Sequence, residues 1–196
     1  MVDKKQINGV GKIILDYGYE EDVCVILAHR HFGLARNETM LEKLEGDAWV
    51  AKPIDIELLE QLGAFPNLLI CMGDSKWYPV GYGIGDNNAL NAWADTEFLN
   101  KIENYLIKNE LQDKLMLGAR SAKEEKEKGV KFMEYNYEET RTSETRPCAD
   151  FEFANGLPTT YAFTRNINGE PEKLCLRVCV PAIAVHVHTH VGNEYD

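Results

Sequence analysis

Five histidines occur in the 196 residues, all of them in two clusters with alternate spacing. His29 and His31 sit in "ILAHRHFGL", and His186, His188 and His190 sit in "AVHVHTHV" near the other end. On a β-strand, residues i and i+2 point to the same side with Cα atoms about 7 Å apart. Two imidazoles so placed can converge on one ion, each ring nitrogen about 2 Å from it. A third at i+4 lies about 13 Å from the first. At most two of the three C-terminal histidines are therefore expected on one ion, the third supporting them or facing solvent. The expected centre is one transition-metal ion held by His29, His31 and one or two of His186, His188 and His190.

Two carboxylates are candidates for the same chemistry. Glu38 follows His31 by seven residues and can ligate the ion or orient a ring nitrogen. Glu134, in "VKFMEYNYEET", can enter a barrel lumen as an acid or base. Cys175 and Cys179 share a strand face with Arg177; the default reading is strand packing, with soft-metal ligation or redox sensitivity as the alternative. Cys24 falls on the opposite side of its strand from His29 and reads as a small buried apolar residue.

Imidazole-rich sites suit copper, iron, nickel and zinc, and copper or iron is placed ahead of zinc or nickel. Three or four protein ligands leave a position open for substrate, water or dioxygen. In an apolar, aromatic-lined barrel this favours an oxygenase-type oxidoreductase acting on a small organic molecule. A zinc hydrolase using metal-bound hydroxide is the alternative. A non-catalytic protein that captures copper, zinc or nickel at an exposed strand is a reading of another class. A pH-sensitive histidine hydrogen-bond network is a further alternative, and a structural domain with no metal at all is the blander one.

His29-x-His31 followed by Glu38 is similar to the first metal motif of the cupins, β-barrels that hold iron, manganese, copper, nickel or zinc. The resemblance covers about ten residues. The gap of six residues between His31 and Glu38 is longer than the family's, and the second cupin motif is not found. The resemblance implies a metal site in a barrel and carries no substrate.

The elements that must position these residues read as β-rich. Strands are expected at 12–15 ("KIIL"), 22–31, 48–52, 67–73 and 114–119. Within 22–31, Val23 to Ala28 is wholly apolar, and His29 and His31 continue the face of Val23, Val25 and Leu27. Asp55 can cap a short helix with Ile56, Leu58, Leu59 and Leu62 as its stripe. Residues 73–93 read as a Gly- and aromatic-rich loop, whose Trp77, Tyr78, Tyr82 and Trp93 pack the core or line a pocket. The clearest helix is 95–109, capped by Asp95, with Phe98, Leu99, Ile102, Tyr105 and Leu106 on one face. Residues 121–129 read as a charged surface segment. Met133, Tyr135 and Tyr137 alternate with polar neighbours, "TTYAFTR" and "KLCLRVCV" flank an Asn168-Gly169 turn, and Pro181 precedes a last strand with the C-terminal histidines. The fold class is α+β, a single domain over 1–196, with a β-barrel or sandwich and two or three helices packed outside.

Composition bounds the partners. Hydrophobic residues make up 44% and charged residues 27%, as in ordinary globular proteins. A net charge of −11 repels phosphate backbones and anionic membranes, so neither nucleic acid nor membrane is an expected partner. A small-molecule substrate is expected, and a homo-oligomer is compatible with the sequence. No apolar run approaches the roughly 20 residues of a membrane helix. The N-terminal stretch has no signal-peptide core, which points to the cytoplasm. Five cysteines with no C-x-x-C pair fit neither a disulfide framework nor a zinc knuckle.

Overall fold

The computed structural model describes residues 2–72, 76–85, 88–120 and 130–180. In chain order it contains α1 (Lys4–Tyr17), β1 (Val23–Leu27), β2 (Glu38–Glu45), β3 (Ala48–Asp55), β4 (Phe65–Met72) and β5 (Lys76–Gly83). There follow α2 (Leu90–Ala94), α3 (Thr96–Lys108), β6 (Leu115–Ala119), β7 (Lys131–Tyr137), β8 (Thr142–Cys148), α4 (Asp150–Asn155), β9 (Leu157–Arg165) and β10 (Pro171–Cys179). The ten strands close into one barrel in the order β1-β6-β4-β5-β2-β3-β8-β7-β10-β9, with β9 returning to β1. Pairs β2–β5 and β7–β10 are parallel; the other pairs are antiparallel. The expected β-rich α+β class is therefore met, as a mixed barrel with helices against its wall.

The longer helices are set by their caps and stripes. In α1 the Asp3 carboxylate accepts from the Gln6 N–H at 2.8 Å, and the Gln6 side chain accepts from the Asp3 N–H at 2.9 Å. Ile7, Val10 and Ile14 form its buried stripe. The expected strand at 12–15 thus lies in the C-terminal half of a helix: so short a segment fits either period, and the stripe reaching back to Ile7 decides it. Asp95 caps α3 by accepting from the Phe98 N–H at 2.9 Å, as expected. Phe98, Ile102 and Leu106 of α3 are buried with the α1 stripe, Val23 and Val25 of β1, Leu115 and Leu117 of β6, and Tyr161 and Phe163 of β9. This main core lies between the helices and one side of the barrel wall. Each such apolar side chain contributes about 1.5–3 kcal/mol by leaving water.

The barrel interior is a second, partly polar space. Trp49 of β3 and Phe132 of β7 approach to 5.3 Å between ring centroids, although their strands are not paired. Arg177 of β10 and Glu42 of β2, also on unpaired strands, approach to 3.7 Å. With β3, β8 and β7 between them, Arg177 and Glu42 meet through the lumen. The wall itself is close-packed: a Cβ on Gly118 of β6 would sit 2.6 Å from Ile26 Cδ1 and 2.9 Å from Cys24 Sγ.

Residues 73–93 are not one loop, because the segment contains β5 and α2. Trp77 and Trp93 pack against the main core, and the Trp93 indole N–H donates to the Pro66 carbonyl at 3.0 Å. The helix expected after Asp55 shrinks to a 3-10 turn, Ile56–Leu58, since of its stripe only Leu59 is buried. Residues 121–129 and the final strand expected after Pro181 lie outside the described residues. Among the described residues no helix is long and apolar enough to cross a membrane.

Candidate metal centre

The mouth of the barrel is built where β1 stops. Leu27 pairs with Leu115, the first residue of β6, and the Ala28 N–H donates to the Lys114 carbonyl at 2.9 Å. Beyond Lys114 there is no strand left to pair with. The chain leaves the wall, and residues 28–37 cross the mouth to the start of β2. His29 and His31 lie on this crossing, not on a strand as expected, so strand alternation is not what brings them together. The His29 Nδ1–H donates to the Leu27 carbonyl at 2.7 Å. That bond fixes the tautomer and aims Nε2 away from the backbone. The two imidazoles stand edge to face with centroids 4.7 Å apart.

The far end of the crossing is pinned by Glu38. Its carboxylate accepts two bonds from the Arg141 guanidinium, at 2.6 and 2.9 Å, and one from the Ala35 N–H at 2.9 Å. Arg141 also donates to the Gly33 carbonyl at 3.5 Å. The Arg141 guanidinium, helped by the Ala35 N–H, holds the Glu38 carboxyl down to about 2. Glu38 therefore fastens the loop that carries the histidines. It is not a member of the ligand group, and the motif spacing that suggested it is replaced by an acid from another strand.

That acid is Glu134. On β7, Phe132, Glu134 and Asn136 share one face; Arg177, beside Phe132 in the β7–β10 ladder and in reach of Glu42 through the lumen, identifies it as the inner one. The parallel ladder with β10 sets Glu134 directly beside Cys179. Glu134 Oε2 lies 3.5 Å from His29 Nε2, and its Oε1 lies 3.4 Å from His31 Nε2. Cys179 Sγ lies 3.8 Å from the same His31 nitrogen. The four donor atoms all fall within 4.8 Å of one another. The side chains of His29, His31 and Glu134 are 16%, 15% and 18% exposed, and Cys179 is fully buried.

Neighbouring polar groups hold the donors in place. The Ser143 hydroxyl on β8 lies 3.0 Å from Glu134 Oε1 and also contacts Asn136 Oδ1. The Asn136 amide donates to Cys179 Sγ at 3.4 Å. The Val180 N–H donates to the Glu134 carbonyl at 3.1 Å.

Charge and burial compete here. Burial pushes the Glu134 carboxyl up, but the two imidazoles outweigh it and hold the group well below the usual carboxylate range. Burial disfavours the charged form of His29, yet the Glu134 carboxylate outweighs that and raises it above the ordinary histidine value. Burial, reinforced by the Glu134 charge, pushes the Cys179 thiol up to about 12 despite the Asn136 bond. A bound cation reverses that last effect and makes the sulfur a thiolate donor.

The structure thus brings together His29, His31 and Glu134 from the expected residues, adds Cys179 and leaves Glu38 apart. His186, His188 and His190 lie outside the described residues. Cys175 follows its default reading as a strand residue, its thiol donating to the Arg177 carbonyl at 3.4 Å. The chain matches no protein-family model, no curated protein and no solved structure.

Proposed function

We propose that this protein is a metal-dependent enzyme with a mononuclear centre formed by His29, His31, Glu134 and Cys179. One observation carries the reading. The two histidine–carboxylate separations, 3.4 and 3.5 Å, exceed the usual N–H···O hydrogen-bond range. They are of the length of ligand–ligand edges around one ion, about 3.3–3.8 Å for bonds of about 2.0–2.3 Å, with the carboxylate presenting Oε2 to His29 and Oε1 to His31. The fixed tautomer of His29 and the hydrogen-bonded carboxylate are the supports that ligands need.

Two histidines and one carboxylate are the donor set of non-haem iron oxygenases. With that set, iron moves ahead of copper, and the proposed reaction is oxidation of a small organic molecule. An ion held there supplies activation of dioxygen or of the substrate. The chain's own residues orient the donors and exclude water from one side of the site. A hollow of about 170 Å³ beside His31, lined also by Tyr135, Asn136, Tyr137 and Val180, is a candidate substrate position. It is of the size that takes a single ring, since a cavity of about 150 Å³ accepts benzene. The C-terminal histidines remain proposed as further donors. His186 follows Cys179 by seven residues, a reach of at most about 25 Å. The five free cysteines fit a cytoplasmic location.

Cys179 favours a second reading. Two histidines, a carboxylate and a sulfur also suit zinc, and a zinc-bound hydroxide would make the protein a hydrolase. Loading the apoprotein separately with iron(II) and with zinc separates the two. The oxygenase reading expects substrate-dependent oxygen uptake with iron only. Ester or amide hydrolysis with zinc only would replace it by the hydrolase.

A further inference from the structure

The hydrogen bonds behind the donors do not balance as independent contacts. Ser143 has one hydroxyl proton but stands within bonding reach of two acceptors, Glu134 Oε1 and Asn136 Oδ1. It can donate to only one of them at a time. The Asn136 amide has a similar choice, because its other end meets Cys179 Sγ at 3.4 Å. Two arrangements satisfy the Asn136 amide at both ends; outside them the Cys179 S–H also has the Val180 carbonyl as an acceptor, 3.5 Å away. In the first, the Cys179 S–H donates to Asn136 Oδ1, Asn136 Nδ2 donates to Ser143 Oγ, and Ser143 donates to Glu134. In the second, the two Asn136 bonds run the other way: Asn136 Nδ2 donates to the sulfur, and Ser143 donates to Asn136 Oδ1. Glu134 Oε1 is then released.

We propose that Ser143 and Asn136 are positioning residues that couple the carboxylate and sulfur donors, so that both join the metal together. The proposal rests on the metal-centre reading above. The second arrangement suits a metal-bound site at both ends: the sulfur accepts an N–H, as a thiolate ligand requires, and Glu134 is free to bind the ion. Without an ion the thiol is compatible with either arrangement, since its proton has Asn136 Oδ1 or the Val180 carbonyl as acceptor. On metal binding the thiol proton passes to solvent, and the thiolate, having no proton to donate, leaves only the second arrangement. The register encodes the coupling, since Asn136 faces Ser143 across β7–β8 and Glu134 faces Cys179 across β7–β10. Ser143 is 9% exposed, so solvent is a poor substitute for either partner.

Cobalt(II) is the probe, because a thiolate ligand gives it a near-ultraviolet charge-transfer band that imidazole and carboxylate do not. The wild-type chain is expected to bind one equivalent with that band. Ser143→Ala and Asn136→Leu should each bind cobalt about 10-fold or more weakly and lose most of the band per bound ion. Ser143→Thr, which keeps the hydroxyl, should retain it. Ser143→Ala and Asn136→Leu keeping the wild-type band would overturn the coupling, as would Ser143→Thr behaving like Ser143→Ala. Cobalt binding to the wild-type chain without the band removes Cys179 from the ligand set and overturns the coupling while the histidine–carboxylate centre stands. No cobalt binding at all overturns both.

Discussion

Glu134 has two imidazoles and a thiol around its carboxylate, and their protons decide how an ion enters. Without metal, His29 holds a proton more tightly than usual and Cys179 is a thiol pushed up to about 12. An ion binding all four donors must displace the thiol proton throughout the neutral range. Below the raised pKa of His29 it must displace that proton as well. The pH dependence of zinc affinity is therefore expected to be about tenfold per pH unit above that point and to steepen to about a hundredfold or more below it. Competition titrations against a chelator across pH 6–8 read the break. An affinity independent of pH would contradict the assignment of both groups. Cys179 was the least legible member of this site. Arg177, Cys175 and Cys179 read as one strand face, whereas β10 carries register shifts against β9 on either side of Arg177. Only the ladder with β7 shows which cysteine meets an acid.

At the scale of elements, the histidines depend on a loop rather than a strand. The apolar run Val23–Ala28 was legible as a buried strand, and the place where β6 runs out was not. That stop depends on a partner almost ninety residues away. β2 and β8 were missed for a related reason: "ETMLEKLE" and "TSETRPC" carry too many polar residues to read as strands until their partners are known. The tie from Glu38 to Arg141 should show in acid. The folded chain holds this carboxyl at about 2 against an ordinary 4.5. A lowered folded value means stabilisation that is present above about 4.5 and lost as pH falls through about 2. Glu38→Gln is expected to lie below the wild-type thermal midpoint at neutral pH, with the gap closing across that window. A gap constant from pH 6 to 2 would show that the carboxylate charge is not what fastens the loop.

The whole molecule separates its stability from its site. The main core lies between α1, α3 and the β1–β6–β9 wall, whereas the donors lie at the mouth on the 28–37 crossing, β7 and β10. Ile102→Ala should cost about 2–5 kcal/mol in urea unfolding by emptying that core, with metal stoichiometry unchanged. A parallel loss of metal would mean that the two regions are one cooperative unit. The helix at 95–109 and the β-rich class were legible because periodicity and capping are local. Barrel closure was not, since it depends on which strands pair. An ion at the mouth joins residues 150 positions apart, from His29 to Cys179, and would add stability in proportion to the logarithm of its concentration over Kd. The most direct test is elemental analysis of the untagged wild-type chain beside the His29→Ala/His31→Ala double variant, both reconstituted with iron(II) or zinc and freed of excess metal. The account predicts about one bound ion per wild-type chain and close to none in the variant. A wild-type chain that retains no metal, or a variant that retains the full equivalent, would contradict it.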